Sequence, residues 1–132
     1  MTAPPRSKPS ILVVDDDQDI RTTIQDILEG EGFSVMCAAN GKEALDVLMH
    51  EESPPELILL DLMMPEMDGW AFRREQQKVP RLAGIPVVVF SSHVGSPDIE
   101  PPRDVAGLMR KPLNLDGLVT LMGHLPAQNK LN

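Results

Sequence analysis

Three runs of four apolar residues constrain this chain most: Ile11-Leu12-Val13-Val14, Leu57-Ile58-Leu59-Leu60 and Val87-Val88-Val89-Phe90. None alternates with polar residues. Short, continuous apolar runs of this kind, β-branched in Ile11 to Val14, suit strands buried on both faces, as in a parallel sheet. Two weaker strand signals, Phe33 to Ala38 and Ala106 to Arg110, bring the expected total to five. Between them lie segments with helical period. Ile20, Ile24, Ile27 and Leu28 fall on one face of a first helix, with Asp17 or Asp19 able to cap its start and Gly30 or Gly32 its end. Asn40 with Glu43 signals a second helix carrying Ala44, Leu45, Val47 and Leu48. Ser53-Pro54-Pro55 stops it, a third helix is expected near Trp70 to Gln77, Pro80 and Gly84 punctuate the chain, and a last helix carries Leu115, Leu118, Val119 and Met122 ahead of Pro126. Strand and helix alternate about five times, so the expected fold is α/β, a doubly wound five-stranded parallel sheet.

Residues 1–9, with three prolines, Arg6 and Lys8, are expected to form a disordered arm; residues 10–126 make one domain, and 127–132 a frayed tail. The 132 residues carry a net charge of −8. A chain so acidic repels phosphate backbones and anionic lipid, so nucleic-acid and membrane partners are not expected. No apolar run approaches the length of a membrane span, and the N-terminus lacks the apolar core of a signal peptide. The lone Cys37 cannot form an internal disulfide, which fits a reducing, cytoplasmic compartment.

The residues that follow the strands carry the chemistry. The first strand runs into Asp15-Asp16-Asp17, the third into Asp61, the fourth into Ser91-Ser92 and the fifth into Lys111. Open parallel sheets bind ligands outside the carboxyl ends of their strands, where the strand order reverses. Carboxylates gathered there repel unless a cation lies among them. A hard divalent cation such as magnesium answers this and leaves positions open for phosphate oxygens. Lys111 offers a mobile positive charge and Ser91 a hydroxyl donor. A carboxylate beside a metal-bound phosphoryl group can act as its nucleophile and form an acyl phosphate.

These residues resemble bacterial response-regulator receiver domains. The resemblance rests on Asp15-Asp16, on LILLDLMMPEMDG from Leu57 to Gly69, on IPVVVFSS from Ile85 to Ser92 and on Lys111-Pro112, and it covers about residues 10 to 125. It implies a flavodoxin-like fold of five βα units and a phosphoacceptor role for Asp61. It implies Mg2+, with Mn2+ as a substitute, held by Asp15, Asp16, Asp61 and the carbonyl of Met63, with Asp16 the more direct of the first pair. Ser91 matches the switch hydroxyl, Lys111 the family lysine, and the Lys111–Pro112 bond is expected to be cis. The implied phosphoryl donor is a sensor histidine kinase, a phosphotransfer protein or a small phosphodonor; the implied output is altered binding of a downstream protein. The chain is then a signalling switch and not a turnover enzyme.

Two features depart from the family. Leu108 stands where an aromatic is usual, and the chain has no tyrosine. Gly95, Pro97, Pro101 and Pro102 make a long helix between strands four and five improbable, so the family's fourth helix is expected to be displaced, shortened or irregular. These departures motivate one alternative, a non-phosphorylated interaction module on the same scaffold. A small magnesium phosphatase with an aspartate nucleophile is another; Asp15 and Asp17 have its spacing, but Asp19 departs from its signature.

Overall fold

The computed structural model describes residues 9–123. The expected arm, apart from Pro9, and the expected tail, with the boundary at Pro126, lie outside the described residues. In order the elements are β1 (Ser10–Val14), α1 (Gln18–Gly30), β2 (Ser34–Ala38), α2 (Gly41–His50), β3 (Leu57–Leu60), α3 (Gly69–Gln77), α4 (Pro80–Ala83), β4 (Val87–Ser91), β5 (Gly107–Arg110) and α5 (Leu115–Gly123). The strands form one sheet in the order β2-β1-β3-β4-β5, and every neighbouring pair is parallel. This is the doubly wound α/β architecture expected, in the flavodoxin-like strand order.

Strand periodicity separates two cores. In β1, Leu12 and Val14 face a cluster that includes Leu48, Leu60 and Phe72, whereas Ile11 and Val13 face one that includes Leu28 and Leu118. Each buried strand therefore supplies both layers at once, which is why its apolar run does not alternate. The caps follow the sequence signals. Asp17 accepts from the N–H groups of Asp19 and Ile20 at 2.9 and 3.2 Å, and Asn40 from Glu43 at 2.9 Å. The Glu43 carboxylate reaches back to the Ala39 N–H at 2.7 Å, completing a capping box shifted by one residue.

Two readings need correction. Pro80 and Gly84 do not merely punctuate: they bound the short helix α4, with Pro80 at its first turn and Gly84 at its C-cap. Between β4 and β5 the departure is larger than a shortened helix, because residues 92–106 form only turns and bends. The prolines remove amide donors, and Gly95 and Asp104 adopt positive φ of 91° and 60°. Isolated turn bonds remain, such as Ser96 N–H to the His93 carbonyl at 3.1 Å. α3 anchors the far half of this crossover: the Trp70 indole N–H donates to the Glu100 carbonyl at 2.7 Å, and Arg73 Nη2 to the Asp104 carbonyl at 2.8 Å.

Candidate functional site

The strand order reverses between β1 and β3, the place where this architecture binds ligands. Register brings the acidic residues together there. Val14 pairs with Leu60, so Asp15 and Asp61 leave neighbouring strands side by side. The Asp61 N–H donates to the Val14 carbonyl at 2.9 Å and the Asp15 N–H to the Ala38 carbonyl at 3.1 Å, which holds both backbones in the sheet. Ligand oxygens of Asp15, Asp16 and Asp61 all lie within 4.8 Å of one another. Asp15 and Asp61 are 1% and 5% exposed, while Asp16 stands open to solvent at the mouth. Asp17 takes no part: it caps α1.

Lys111 reaches this cluster from the end of β5. Its Nζ lies 2.7 Å from Asp15 Oδ2 and 3.4 Å from Asp61 Oδ2. Its stem crosses the β4 side of the sheet, with the ammonium 5.5 Å from the centroid of the Phe90 ring. The Lys111–Pro112 bond is cis, as expected. Asp61 Oδ1 accepts from the Leu62 N–H at 2.8 Å, leaving Oδ2 toward the lysine. Burial pushes the Asp61 pKa up and the Asp15 charge pushes it further; Lys111 and the Leu62 amide offset this only in part. For Lys111, burial is the largest influence and acts downward, yet the two carboxylates together raise its pKa above the usual value.

The donor set fits a hard divalent cation. It consists of carboxylate oxygens, and one ammonium against three carboxylates leaves an excess of negative charge. The buried Asp15 Oδ2 has the Lys111 ammonium 2.7 Å away as its ion-pair partner and no further hydrogen bond.

Ser91 ends β4 fully buried, and the Lys111 N–H meets its carbonyl at 3.3 Å. Its hydroxyl is engaged elsewhere: Oγ accepts from the His93 N–H at 3.1 Å and lies 3.4 Å from His93 Nδ1. Among the described residues no hydrogen bond joins Ser91 to the acidic cluster. Met63, two residues beyond Asp61, is 39% exposed. The loop that carries it closes through Gly69, whose N–H donates to the Leu62 carbonyl at 2.9 Å. A Cβ on Gly69 would fall 2.6 Å from the Asp61 carbonyl oxygen, so only glycine permits this approach. Asp68 caps α3 beside it, accepting from the Ala71 N–H at 2.9 Å.

The sequence matches the family model for the response regulator receiver domain over residues 11–122. The chain belongs to the receiver-domain family of response regulators. Among curated proteins, this receiver is 36% identical over 110 residues to the response regulator receiver protein CpdR of Brucella abortus, an alignment covering 83% of this chain and 89% of that one. It is 39% identical over 84 residues to the response regulator Rre1 of Synechocystis, covering 63% of this chain and 36% of that protein. It is 37% identical over 110 residues to the transcriptional regulatory protein GlrR of Escherichia coli, covering 82% of this chain and 24% of that protein. The chain therefore spans only part of several relatives it matches. Among solved structures, the chemotaxis response regulator CheY4 of Vibrio cholerae superposes with a TM-score of 0.76 at 26% identity, covering 86% of this chain and 98% of that one. The phosphorylated cyanobacterial phytochrome response regulator RcpA gives 0.70 at 32% identity, covering 87% and 89%.

Sequence reasoning missed the Arg73–Gln76 pair buried inside α3 and the indole bond of Trp70. Gln76 Nε2 donates to the Leu82 and Ile85 carbonyls at 2.9 and 3.1 Å, so it ties α3 to the turn before β4. Polar residues on a helix read as solvent-facing; their fit between α3, α4 and β4 leaves no trace in periodicity.

Proposed function

We propose that this receiver accepts a phosphoryl group on Asp61 in a two-component phosphorelay, with a histidine kinase or a phosphotransfer protein as donor and Mg2+ as cofactor. The observation that carries the reading is the buried Asp61 carboxylate at the sheet edge, within 4.8 Å of the Asp15 and Asp16 oxygens and 3.4 Å from Lys111 Nζ. Asp15, Asp16, Asp61 and the Met63 carbonyl would hold the cation, which when bound supplies charge neutralisation for phosphoryl oxygens. An Asp61 oxygen attacks phosphorus, the phosphorus–nitrogen bond of the donor phosphohistidine breaks, and its electron pair stays on the imidazole. Lys111 is placed to meet the charge that arrives, roughly two negative units and three acceptor oxygens. Ser91 follows as the switch: its hydroxyl leaves His93 for a phosphoryl oxygen, and the β4–β5 crossover shifts with it. This is a change of population between two states that the phosphoryl group favours unequally.

The reading makes the chain a switch in the cytoplasm, with one phosphoryl group per chain and no sustained turnover on phosphate esters. Its output is altered binding of a protein partner and not direct contact with nucleic acid; no helix of the described residues is long and apolar enough to cross a membrane. Intact mass after incubation with acetyl phosphate and Mg2+ tests it. One added phosphoryl group is expected, absent with EDTA and absent in Asp61→Asn. Labelling that persists in Asp61→Asn overturns the assignment, and repeated turnover on small phosphate esters would return the phosphatase reading.

A further inference from the structure

A second polar feature lies away from the acidic edge, where α3 meets the β4–β5 crossover. Arg73 is 7% exposed. Its Nη1 donates to Gln76 Oε1 and its Nη2 to the Asp104 carbonyl, both at 2.8 Å, while Nε has no partner. Both acceptors are neutral groups. Among the described residues no carboxylate forms an ion pair with this guanidinium. Burial pushes its pKa down, and the charge of Asp104 offsets this only in part. Buried cations are ordinarily paired, because an unpaired one has lost its hydration without compensation. Arg73 therefore sits in the fold as a cation lacking an anion.

Beside it opens a cleft of about 540 Å3, within the range of small-molecule sites. Arg74 and Arg103 stand exposed on its walls, which Trp70 and Gln77 also line. Glu100 and Asp104 also line it, so three guanidinium groups face two carboxylates on a chain whose net charge is −8. This is a local reversal of sign, and a cleft with low-dielectric walls concentrates such a field.

We propose that this cleft binds a small phosphate-bearing ligand, separate from the acidic edge, with Arg74 and Arg103 donating to the phosphate and Arg73 supplying the uncompensated charge behind it. Planar guanidinium forks match phosphate oxygens in pairs, which suits the two exposed arginines. Arg73 Nε itself is buried, but the residue lines the cleft, so its charge stands directly behind the phosphate. The Trp70 N–H is spent on the Glu100 carbonyl, which leaves the indole as an apolar wall. A ligand with an apolar or aromatic portion beside its phosphate uses both halves of the cleft. Occupancy also bridges α3 to the crossover that follows Ser91.

The test uses the full chain in EDTA, so that no cation can hold phosphate at the acidic edge. Inorganic phosphate, pyrophosphate and a nucleoside monophosphate are titrated by calorimetry and by Trp70 fluorescence, Trp70 being the sole tryptophan. One saturable site per chain is expected for at least one probe. In the double variant Arg74→Gln/Arg103→Gln, whose sites are exposed, affinity should fall by at least about tenfold. Asp61→Asn should bind as the parent does. Arg73→Met should abolish binding; because it also disturbs a buried network, the surface double variant decides. Tighter binding of the nucleoside monophosphate assigns a carried phosphate, and tighter binding of inorganic phosphate or pyrophosphate a free one; either supports the site. No saturation by any probe up to ~10 mM, unchanged affinity in the double variant, or loss of binding in Asp61→Asn overturns it.

Discussion

β3 and β5 belong to one sheet, separated only by β4, and they are covered very differently. All four residues of Leu57–Leu60 are buried, whereas Gly107–Arg110 alternates between half-buried and exposed. The cause lies in the connections. α2, α3 and α4 cover one face of β3, and α1 and α5 the other. β5 has α5 on the face of Gly107 and Met109, but the crossover before it contains no helix to cover the opposite face. Leu108 is left 49% exposed there. The acidic edge thus stands on fully packed strands, while the edge that carries Ser91 and Lys111 borders the least covered part of the sheet. Segments with few buried contacts open at lower free energy, which is where a switching element is best placed. Under the proposed function, preorganisation falls to the first half and movement to the second.

The comparison is broken most directly by cutting both strands alike. Leu60→Ala should cost about 3–4 kcal/mol, the usual loss for a buried leucine with an incompletely closed cavity, and Leu108→Ala less than about 1 kcal/mol. Urea denaturation measures both, and equal losses would show the two strands to be equally packed.

A smaller effect comes from charge at the acidic edge. The folded Asp61 carboxyl holds its proton to higher pH than an unfolded aspartate, because burial and Asp15 disfavour its ionised form. Between the ordinary and the raised pKa the folded chain binds more protons, so stability falls as pH rises through that window and stays lower above it. Asp61→Asn removes this dependence. In EDTA it should therefore be more stable than the parent at pH 7, with the gain disappearing as the pH falls below the ordinary aspartate range. Thermal melts across pH check the sign; a variant less stable than the parent at pH 7 would mean that Lys111 outweighs burial and repulsion.

The smallest effect sharpens the other side. Trp70→Phe removes the exposed indole bond to Glu100 and keeps most of the ring, so a global loss of only about 0.5 kcal/mol is expected, the low end for one hydrogen bond. Hydrogen exchange should localise the change: amides of residues 97–104 should exchange faster while those of β1 and β3 hold. A uniform rise would show that the crossover is not anchored independently.

What could be read from the residue order was whatever depends on neighbours in the chain. Continuous apolar runs gave the buried strands, and the polar residue closing each run gave the composition of the sheet edge. Asp17 and Asn40 announced their helices, because a cap acts within three residues. Gly95 and the prolines denied a helix to the β4–β5 crossover. α4 was within reach through Pro80 and Gly84, but four residues are too few to show a period. Packing decided the rest. Asp15 and Asp16 are equivalent as letters; the backbone of Asp15 continues the ladder of β1 and its side chain is buried beside Lys111, whereas Asp16 has left the sheet. Ser91 was placed correctly at the strand end, yet its hydroxyl faces His93. The bonds from α3 to the crossover span about thirty residues, and periodicity reports which face a residue occupies but not which distant group meets it there. Local chemistry is written along the chain, and partnership across the fold is set by register and by the space that packing leaves.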